Sequence, residues 1–512
     1  MAESPPPATP QVAEPATAQA RPVISARSAW AESLLRPLLS FRLHYIPVVM
    51  VYFAYGALGL IDVTRDLWIK ESLSLTPAQL AGIGVWLSLP WTVKMVFGEL
   101  VDAVPIFGSQ RRIYILIGAA FAAAGLIVLA GAAGGWIVAM HADRLYLLGS
   151  LLIVVGTVVQ DVVADAMSTE VVVRTDDQGR PRPDAEVRAE LGMVQVLGRL
   201  ALSAGILAVA GLSGMLAGMF SRETVFLMGL AVPLISIAGV FLRRHAPRER
   251  RPIDWRILGG GIAFGTLVLT LALSGVPAAQ EITFILSMAV ICTMLVLVTR
   301  ELAPHTRRAI LFTSVIIFAF RATPAVGDGY FWWTLDVLKF DAEFYGVLRQ
   351  TGAIIAIAAL WLFSKQLTEY SVTAVLFWIA VAGTALSLPN IGLYYGLAGW
   401  TEVHFGFGAR TIALVDAATS SPFAQLSMVP LLTLVAYYAP EGHRATWFAL
   451  MASLMNLALV AGQLQTKYLN QVYVVQRGEY GELGVLLIVV VALGLILPIV
   501  AIALFGRRVA RT

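Results

Sequence analysis

The chain consists largely of long apolar runs separated by short polar stretches. About 20 predominantly apolar residues are enough for a helix to cross a bilayer, and the sequence contains fourteen segments of roughly this length. They lie at about 44–67, 78–100, 113–134, 145–170, 190–216, 222–242, 257–276, 281–300, 308–330, 342–364, 371–391, 411–438, 444–468 and 483–506. The pattern predicts an all-α polytopic membrane protein with about fourteen transmembrane spans.

The loops between these spans alternate in charge, which indicates their orientation. Loops after even-numbered spans are rich in arginine, as at Arg111–Arg112 and from Arg243 to Arg256, whereas Ser274–Glu281, after the seventh span, has no basic residue. Because basic loops are retained in the cytoplasm, both termini are predicted to be cytoplasmic. We expect a multi-pass protein of the plasma membrane, which in a bacterium is the inner membrane.

The composition supports a membrane location and excludes several other classes. Hydrophobic residues make up 58% of the chain, charged residues 13%, and the mean hydropathy is +0.78. A soluble domain carries about 25% charged residues, so most of this chain must face lipid or other apolar helices. The single cysteine, Cys292, excludes a disulfide framework and a thiolate metal cluster. The net charge of +4 reflects arginines in loops and does not indicate nucleic-acid binding. We also expect no metal and no cofactor.

Two parts of the chain show signs of an internal repeat. Trp68, Ala78 and Gly82 recur as Trp332, Ala342 and Gly346 at a constant offset of 264, and Asp165 has a weaker counterpart in Asp416. A duplicated six-helix bundle would place such identities in this way. The predicted domains are a disordered cytoplasmic tail (1–40), an N-terminal six-helix bundle (41–245), an inserted helix pair (246–304) and a C-terminal six-helix bundle with a short tail (305–512).

Residues 89–112 connect the second and third spans and carry the most specific motif. The apolar helix is expected to end at Gly98, and the following loop carries Asp102 and closes with Arg111 and Arg112. Glycine permits close helix approach, the carboxylate can pair with a basic group, and the arginines hold the loop in the cytoplasm. A Gly-x-x-x-Asp loop with paired arginines is typical of major facilitator transporters, although any polytopic protein can have a basic turn. We interpret it as a cytoplasmic gating loop.

Spans 4 and 5 carry polar residues at helical spacing in their inner halves. Asp161 and Asp165 share one face of span 4, and Gln195 and Arg199 repeat the spacing in span 5. An ionisable group in hydrocarbon costs at least ~2.5 kcal/mol, so such groups persist when they pair, line water or act on a solute. We expect Arg199 to lie against Asp165, either as a structural ion pair or as part of a proton-coupling site.

Spans 1 and 2 contribute further candidates for a solute pathway. Asp62 and Asp66 lie with Arg65 on one side of span 1, near its outer end, where they form either a solvated rim or a buried site. Lys94, in span 2, can snorkel or pair with Asp102 or with the span 4 acids. We therefore include Asp62, Asp66 and Lys94 among the candidates for substrate binding or ion coupling.

The second half of the chain has fewer charges in its spans. Arg321 lies deep in span 9 beside Pro324, where a cation is expected to have a function. Arg349 is expected to line the outer half of the same bundle together with Asp328, Gln350 and Asp416. Asn456 and Gln463, in span 13, are interpreted as polar contacts between helices.

Several stretches resemble the folate–biopterin transporter family of the major facilitator superfamily. They are Leu89–Lys94, Val104–Gly108 with Arg111, Arg112 and Tyr114, Asp161–Ala166 and Leu75–Gly82. The resemblance implies a major facilitator fold of two six-helix bundles, here with two inserted helices. It also implies an acidic pair and a basic partner in helices 4 and 5, which correspond to Asp161, Asp165 and Arg199. Gln160–Ala166 is similar to anhydromuropeptide permeases and acetyl-CoA transporters as well, so these substrates remain open.

The leading hypothesis is a monomeric secondary transporter that moves a small organic solute, such as a folate or pteridine, by alternating access and proton coupling. The sequence has no Gly-x-x-x-x-Gly-Lys-Ser/Thr loop for ATP. A membrane-embedded enzyme is the alternative of another class, but all six histidines fall in loops or at span ends and no His-Glu-x-x-His motif is present. A solute sensor that no longer transports is a further alternative.

Overall fold

The computed structural model describes residues 41–107, 109, 111–176, 178–242, 255–274, 276–300, 303–369, 372–426 and 444–509. Each of the fourteen predicted spans falls on one or more helices, which confirms the all-α class. Nine helical stretches of the described residues are long and apolar enough to be candidate spans, so the count of fourteen stays a prediction. The predicted tail at 1–40 and the inner end of the twelfth span, after residue 426, lie outside the described residues.

The first half of the chain begins with a 3₁₀ turn at Leu43–Tyr45 and has a second one at Leu58–Ile61. Thr76 and Gln79 form a reciprocal capping box at the start of its third α-helix. The helices are α1 (Ile46–Ala57), α2 (Asp62–Ser72), α3 (Pro77–Thr92), α4 (Lys94–Ala103), α5 (Arg112–Gly134), α6 (Ala142–Glu170), α7 (Asp184–Met219), α8 (Arg222–Met228) and α9 (Ala231–Phe241).

The second half contains the predicted inserted pair and the C-terminal helices. The pair consists of α10 (Trp255–Ser274) and α11 (Ala279–Thr299). The remaining helices are α12 (Pro304–Arg321), α13 (Asp328–Asp336), α14 (Ala342–Glu369), α15 (Val372–Tyr394), α16 (Leu397–Phe405), α17 (Ala409–Leu426), α18 (Arg444–Val472) and α19 (Leu483–Val509). The short helix α16 was not predicted from the sequence, and the predicted ninth span is interrupted by non-helical residues 322–327 between α12 and α13.

Small residues bring the N-terminal helices together. Gly118 and Gly156 face each other where α5 crosses α6, and a Cβ on either would collide with the backbone of the other helix. Gly56 of α1 and Gly205 of α7 make a second close crossing of the same kind. Close backbone approach is how membrane helices gain packing contacts without a hydrophobic driving force. In the C-terminal half, α14 packs on α17 and α15 packs on α19.

The two halves meet along two seams. Helix α3 packs on α18, and α7 packs on α14. The predicted inserted pair, α10 and α11, lies beside the seam between α3 and α18. Helix α10 contacts α4, and α11 contacts both α18 and α3. We call the end that carries residues 73–76, 337–341 and 473–482 the predicted outer end, and the end that carries residues 104–111 the predicted inner end.

The connection between the second and third spans differs from the sequence prediction. The helix does not end at Gly98, because α4 continues to Ala103 and includes Asp102. A Cβ on Gly98 would meet nothing within 4 Å, so this glycine does not mediate a close helix crossing. The loop proper begins at Val104, where the backbone becomes extended ahead of Pro105.

Candidate functional site: a charged cavity between the two halves

A cavity of about 940 Å³ lies between the halves of the molecule. Helices α2, α3, α6 and α7 contribute most of its wall from the first half, and α13 and α14 contribute from the second half. Its lining is mainly apolar, with an aromatic ring at Tyr55 and charged groups concentrated toward the predicted outer end. The charged lining residues are Asp62, Arg65, Asp66, Asp328 and Arg349. A largely apolar cavity with a few convergent polar groups is the usual form of a small-molecule site.

A cluster of four charged residues joins the two halves at the predicted outer end of this cavity. Arg349 donates from Nη1 to Asp62 Oδ2 at 2.8 Å and from Nη2 to Asp66 Oδ2 at 3.0 Å. Arg65 binds the remaining oxygens of the same two carboxylates, Asp62 Oδ1 at 3.0 Å and Asp66 Oδ1 at 2.9 Å. Asp62, Arg65 and Asp66 are therefore a partly buried, fully paired part of the cavity wall and not a solvated rim.

Arg477 makes a second connection between the halves, closer to the predicted outer end. Its guanidinium donates four hydrogen bonds to backbone carbonyls of the first half, at distances of 2.7–3.0 Å. The acceptors are Ile69, Lys70, Leu73 and Leu75, which end α2 and form the connection to α3. The guanidinium carbon also lies 4.1 Å from the ring centre of Trp332. One side chain thus binds the carbonyls at the C-terminal end of α2 and in the connection that follows, where helical N–H partners run out.

An ion pair beside Arg477 extends this closure. Lys70 of α2 pairs with Asp336 at the end of α13, and the Tyr480 hydroxyl donates to the other oxygen of the same carboxylate. Burial alone would raise the pKa of Asp336, but the hydrogen bonds from Lys70 and Tyr480 hold this pKa below its usual value. We use the name outer seal for Arg477, Lys70, Asp336 and Tyr480 together with the Arg349 cluster.

A separate network lies toward the predicted inner end of the first half. Lys94 Nζ is 2.5 Å from Asp161 Oδ2 and 2.6 Å from Asp165 Oδ2, so one ammonium bridges both carboxylates. The Tyr52 hydroxyl of α1 donates to the second oxygen of Asp165. Asp161 is 7% exposed, and a carboxylate at this depth needs such a cation. Of the partners predicted for Lys94, the structure selects the span 4 acids and not Asp102.

The prediction that Arg199 lies against Asp165 is wrong. Arg199 is exposed and makes no ion pair with Asp165, because Lys94 and Tyr52 occupy that carboxylate. Gln195 instead donates to Ser168 Oγ at 2.6 Å, which ties α7 to α6.

Arg321 does not line the cavity. It is the last residue of α12, and its Nε approaches the Met455 carbonyl at 3.4 Å. The polar contacts predicted for span 13 are present, since Asn456 Nδ2 donates to the Trp91 carbonyl at 3.0 Å across the seam between the halves. A Cβ on Gly84 would likewise collide with the Gln463 amide, so this side chain also meets α3.

The predicted gating loop is held by Arg111. Its Nη2 lies 2.5 Å from Asp102 Oδ1 and 2.8 Å from Glu170 Oε1, and its Nη1 donates to the Val101 carbonyl. Arg112 does not share this role, because its guanidinium stacks 3.9 Å from the ring centre of Phe241. Arg111 therefore joins α4 to the end of α6, within one half of the molecule.

The sequence analysis did not identify the outer seal apart from Arg349 and its two carboxylates. Arg477, Lys70 and Asp336 lie at span ends or in loops, where charges are ordinarily solvated. One signal was available in the loop charges. The outer loops are poorer in basic residues than the inner ones, so each basic residue there, Arg477 among them, calls for a structural explanation.

Comparisons with known proteins match this chain to transporters over most of its length. The model of the BT1 family matches residues 56–511. The folate–biopterin transporter of Synechocystis sp. is 26% identical over 464 residues, which cover 89% of this chain and 80% of that protein. Probable folate–biopterin transporter 4 of Arabidopsis thaliana is 22% identical and covers 85% of this chain and 90% of its own length. Folate transporter 1 of Plasmodium falciparum is 20% identical, with 78% and 68% covered.

Solved structures match the fold at lower identity. A POT family transporter in complex with 5-aminolevulinic acid aligns with a TM-score of 0.62 and 12% identity, over 91% of this chain and 96% of that chain. A nucleoside transporter aligns with a TM-score of 0.60 and 11% identity, over 90% and 99% of the two chains. These values confirm a helical, multi-span membrane fold of the major facilitator kind.

Proposed function

Because this chain belongs to the BT1 family of folate–biopterin transporters, we propose that it carries a folate- or pteridine-like solute through the cavity between its halves. The protein is a multi-pass secondary transporter of the major facilitator kind and not an enzyme. The observation that carries the proposal is the position of the outer seal, which closes a charged cavity at its predicted outer end. Closing one end of a central cavity is what alternating access requires.

The cavity has chemistry that suits such a solute. A pterin offers a flat ring whose amino-pyrimidinone edge can hydrogen-bond a carboxylate at two points, as Asp328 could provide. The ring can stack on Tyr55, which lines the cavity and itself stacks on Trp91 with ring centres 5.8 Å apart. The glutamate part of a folate needs a cation, and Arg349 of the same wall would supply it by exchanging Asp62 and Asp66 for the solute carboxylates.

We further propose that the cavity opens toward the cytoplasm when the outer seal is formed. The loops at the predicted inner end carry Arg111, Arg174, Arg180 and Arg182, whereas the predicted outer end is poor in basic residues. This distribution supports cytoplasmic termini and insertion in a plasma membrane, the inner membrane of a bacterium. The ion pairs of the seal would then break in the half of the cycle that opens the outer end.

Lys94 with Asp161 and Asp165 is the proposed proton-coupling network. Two carboxylates share one ammonium, so a proton can replace the lysine on either of them at a small cost in charge. The Tyr52 hydroxyl offers a neighbouring hydrogen-bond position on Asp165. If α4 moves relative to α6 during the cycle, the carboxylates lose their cation and take up a proton.

The test is uptake of labelled folate and of a labelled pteridine into proteoliposomes, with and without an imposed pH gradient. Lys94→Met is expected to reduce the accumulation of solute driven by the pH gradient at least tenfold. Exchange of solute without a pH gradient should be retained. Lys339→Met, which removes an exposed lysine, is the control and should transport normally. Normal gradient-driven accumulation in Lys94→Met would refute the coupling role. Absence of uptake and exchange for every folate and pteridine in the unmodified protein would refute the substrate class.

A further inference from the structure

The C-terminal half contains a carboxylate, Asp416, that neither the outer seal nor the Lys94 network uses. It lies on α17, seven residues after the helix begins at Ala409. Ser420 Oγ, one turn further on, donates to Asp416 Oδ1 at 2.9 Å. The side chain of Asn390, on α15, lies beside Asp416. Two helices therefore aim polar groups at one carboxylate inside the bundle.

The hydrogen bonds around Asn390 show which way its amide points. The Tyr330 hydroxyl donates to Asn390 Oδ1 at 2.7 Å. The amide oxygen is therefore occupied, and the amide N–H group is the part that faces Asp416. Asp416 receives a hydrogen bond from Ser420 and lies beside the Asn390 amide, and both of these groups are neutral.

No cation among the described residues pairs with Asp416. Arg410, on the same helix, pairs with Asp341 at 2.5 Å, and Arg349 of the neighbouring α14 is held by two carboxylates of the first half. The other ionisable side chains that the structure describes on the helices packed against α17 are also directed elsewhere or lie at the predicted outer end, apart from Tyr330, which faces Asp416. They are Glu343 and Tyr345 of α14, Tyr394 of α15, and Glu402 and His404 of α16.

A cavity of about 330 Å³ adjoins this network. Ser420 lines it from α17, Thr384 and Ser387 line it from α15, and Thr323 and Pro324 line it from the helix break at residues 322–327. A broken helix leaves backbone carbonyls without helical partners, and at membrane depth these are found where the backbone is buried in protein or lines a polar cavity. The hydroxyls of Thr384 and Ser387 donate to carbonyls of their own helix, so their lone pairs remain available. The cavity thus offers oxygen acceptors and room for water.

We propose that Asp416, with Ser420 and the adjoining cavity, binds a monovalent cation, either a proton or a sodium ion. A carboxylate among apolar helices with only neutral donors keeps an uncompensated charge, and one positive charge removes that cost. A proton would reside on an Asp416 oxygen. A sodium ion would take its ligands from Asp416, Ser420 and cavity water, all of which are oxygen donors. The role of this cation in coupling rests on the proposed transport function. The site adds a bound cation in the half of the molecule opposite Lys94.

The first arm of the test looks for sodium in purified full-length protein without solute. Thermal stability is measured as choline chloride is replaced by sodium chloride at constant ionic strength. If the cation is sodium, the melting temperature of the unmodified protein and of Thr419→Ala rises with sodium, and Asp416→Asn loses this rise. Thr419 is a matched control because its hydroxyl, one residue from Ser420, donates to helix carbonyls. Ser420→Ala keeps the carboxylate and should raise the half-saturating sodium concentration severalfold.

The second arm looks for a proton by infrared difference spectra between basic and acidic solution. If the cation is a proton, sodium has no effect on stability, and a protonated-carboxyl band that the unmodified protein and Asp341→Asn both show is lost in Asp416→Asn. The proposal is overturned if Asp416→Asn changes neither the sodium dependence nor the carboxyl band. An Asp416→Asn protein that does not fold is replaced by Ser420→Ala, and an unchanged response to both cations there also overturns it. Neither arm uses a transported solute, so a failed search for folate transport would not affect these outcomes.

Discussion

Replacing Arg477 should open the predicted outer end. Its guanidinium makes four hydrogen bonds that all cross from one half of the molecule to the other, so each of them is lost when the halves separate at this end. Arg477→Ala therefore removes interactions that exist in the closed state and leaves the open state nearly unchanged.

The size of the effect follows from these bonds. Arg477 is only partly buried, so water can replace part of what is lost, and about 0.5–1 kcal/mol for each bond is a suitable value. Four bonds give about 2–4 kcal/mol, and the contact with Trp332 is not counted because Trp332 belongs to the same half as Arg477. At 1.4 kcal/mol per tenfold change, the loss of these four bonds shifts the equilibrium toward the outward-open state by about 30- to 700-fold. Arg477→Lys should have an intermediate effect, because an ammonium has three donors and cannot reproduce the planar fork.

Cysteine accessibility measures this shift directly. In a Cys292→Ser background, Ala353→Cys places a thiol in the cavity wall beneath the seal, and a membrane-impermeant maleimide is added from outside. The labelling rate should rise by at least tenfold in Arg477→Ala. Arg410→Ala is the control, because Arg410 is also at the predicted outer end but pairs with Asp341 of the same half. An unchanged labelling rate in Arg477→Ala, together with normal transport, would show that Arg477 does not hold the outer end closed.

Two further predictions concern the first half of the molecule. Gly205→Val should destabilise the protein by about 1–3 kcal/mol, since its side chain would collide with the α1 backbone. Gly192→Val on the same helix has no neighbour within 4 Å and should not lower the melting temperature in parallel thermal denaturation, so equal losses would contradict this packing. Arg111→Lys should slow transport about 5- to 30-fold, equivalent to the loss of about 1–2 kcal/mol of hydrogen bonding, without changing the melting shift caused by bound solute. Arg112→Lys is its control, and a loss of solute binding in Arg111→Lys would place that arginine in the binding site instead.

Local pattern was sufficient for the helical architecture and for much of the candidate site. A run of about 20 apolar residues has few stable alternatives to a helix in a bilayer, so the helices could be predicted from the chain. Asp161 and Asp165 were identified for a similar reason, because a carboxylate in an apolar helix requires a partner or a function. The family resemblance, carried by short motifs such as Leu89–Lys94, was likewise present in the chain itself.

Which charges meet was decided only by the tertiary structure. Spacing along a helix predicts a shared face but not the neighbouring helix, so Arg199 was assigned to Asp165 when Lys94 holds that position. Arg477 and the carbonyls that it binds are about 400 residues apart in the chain, and no local pattern connects them. The sequence determined what had to be buried in the membrane, because the cost of burial belongs to each residue. The fold determined the partners, because an ion pair depends on two positions that only packing brings together.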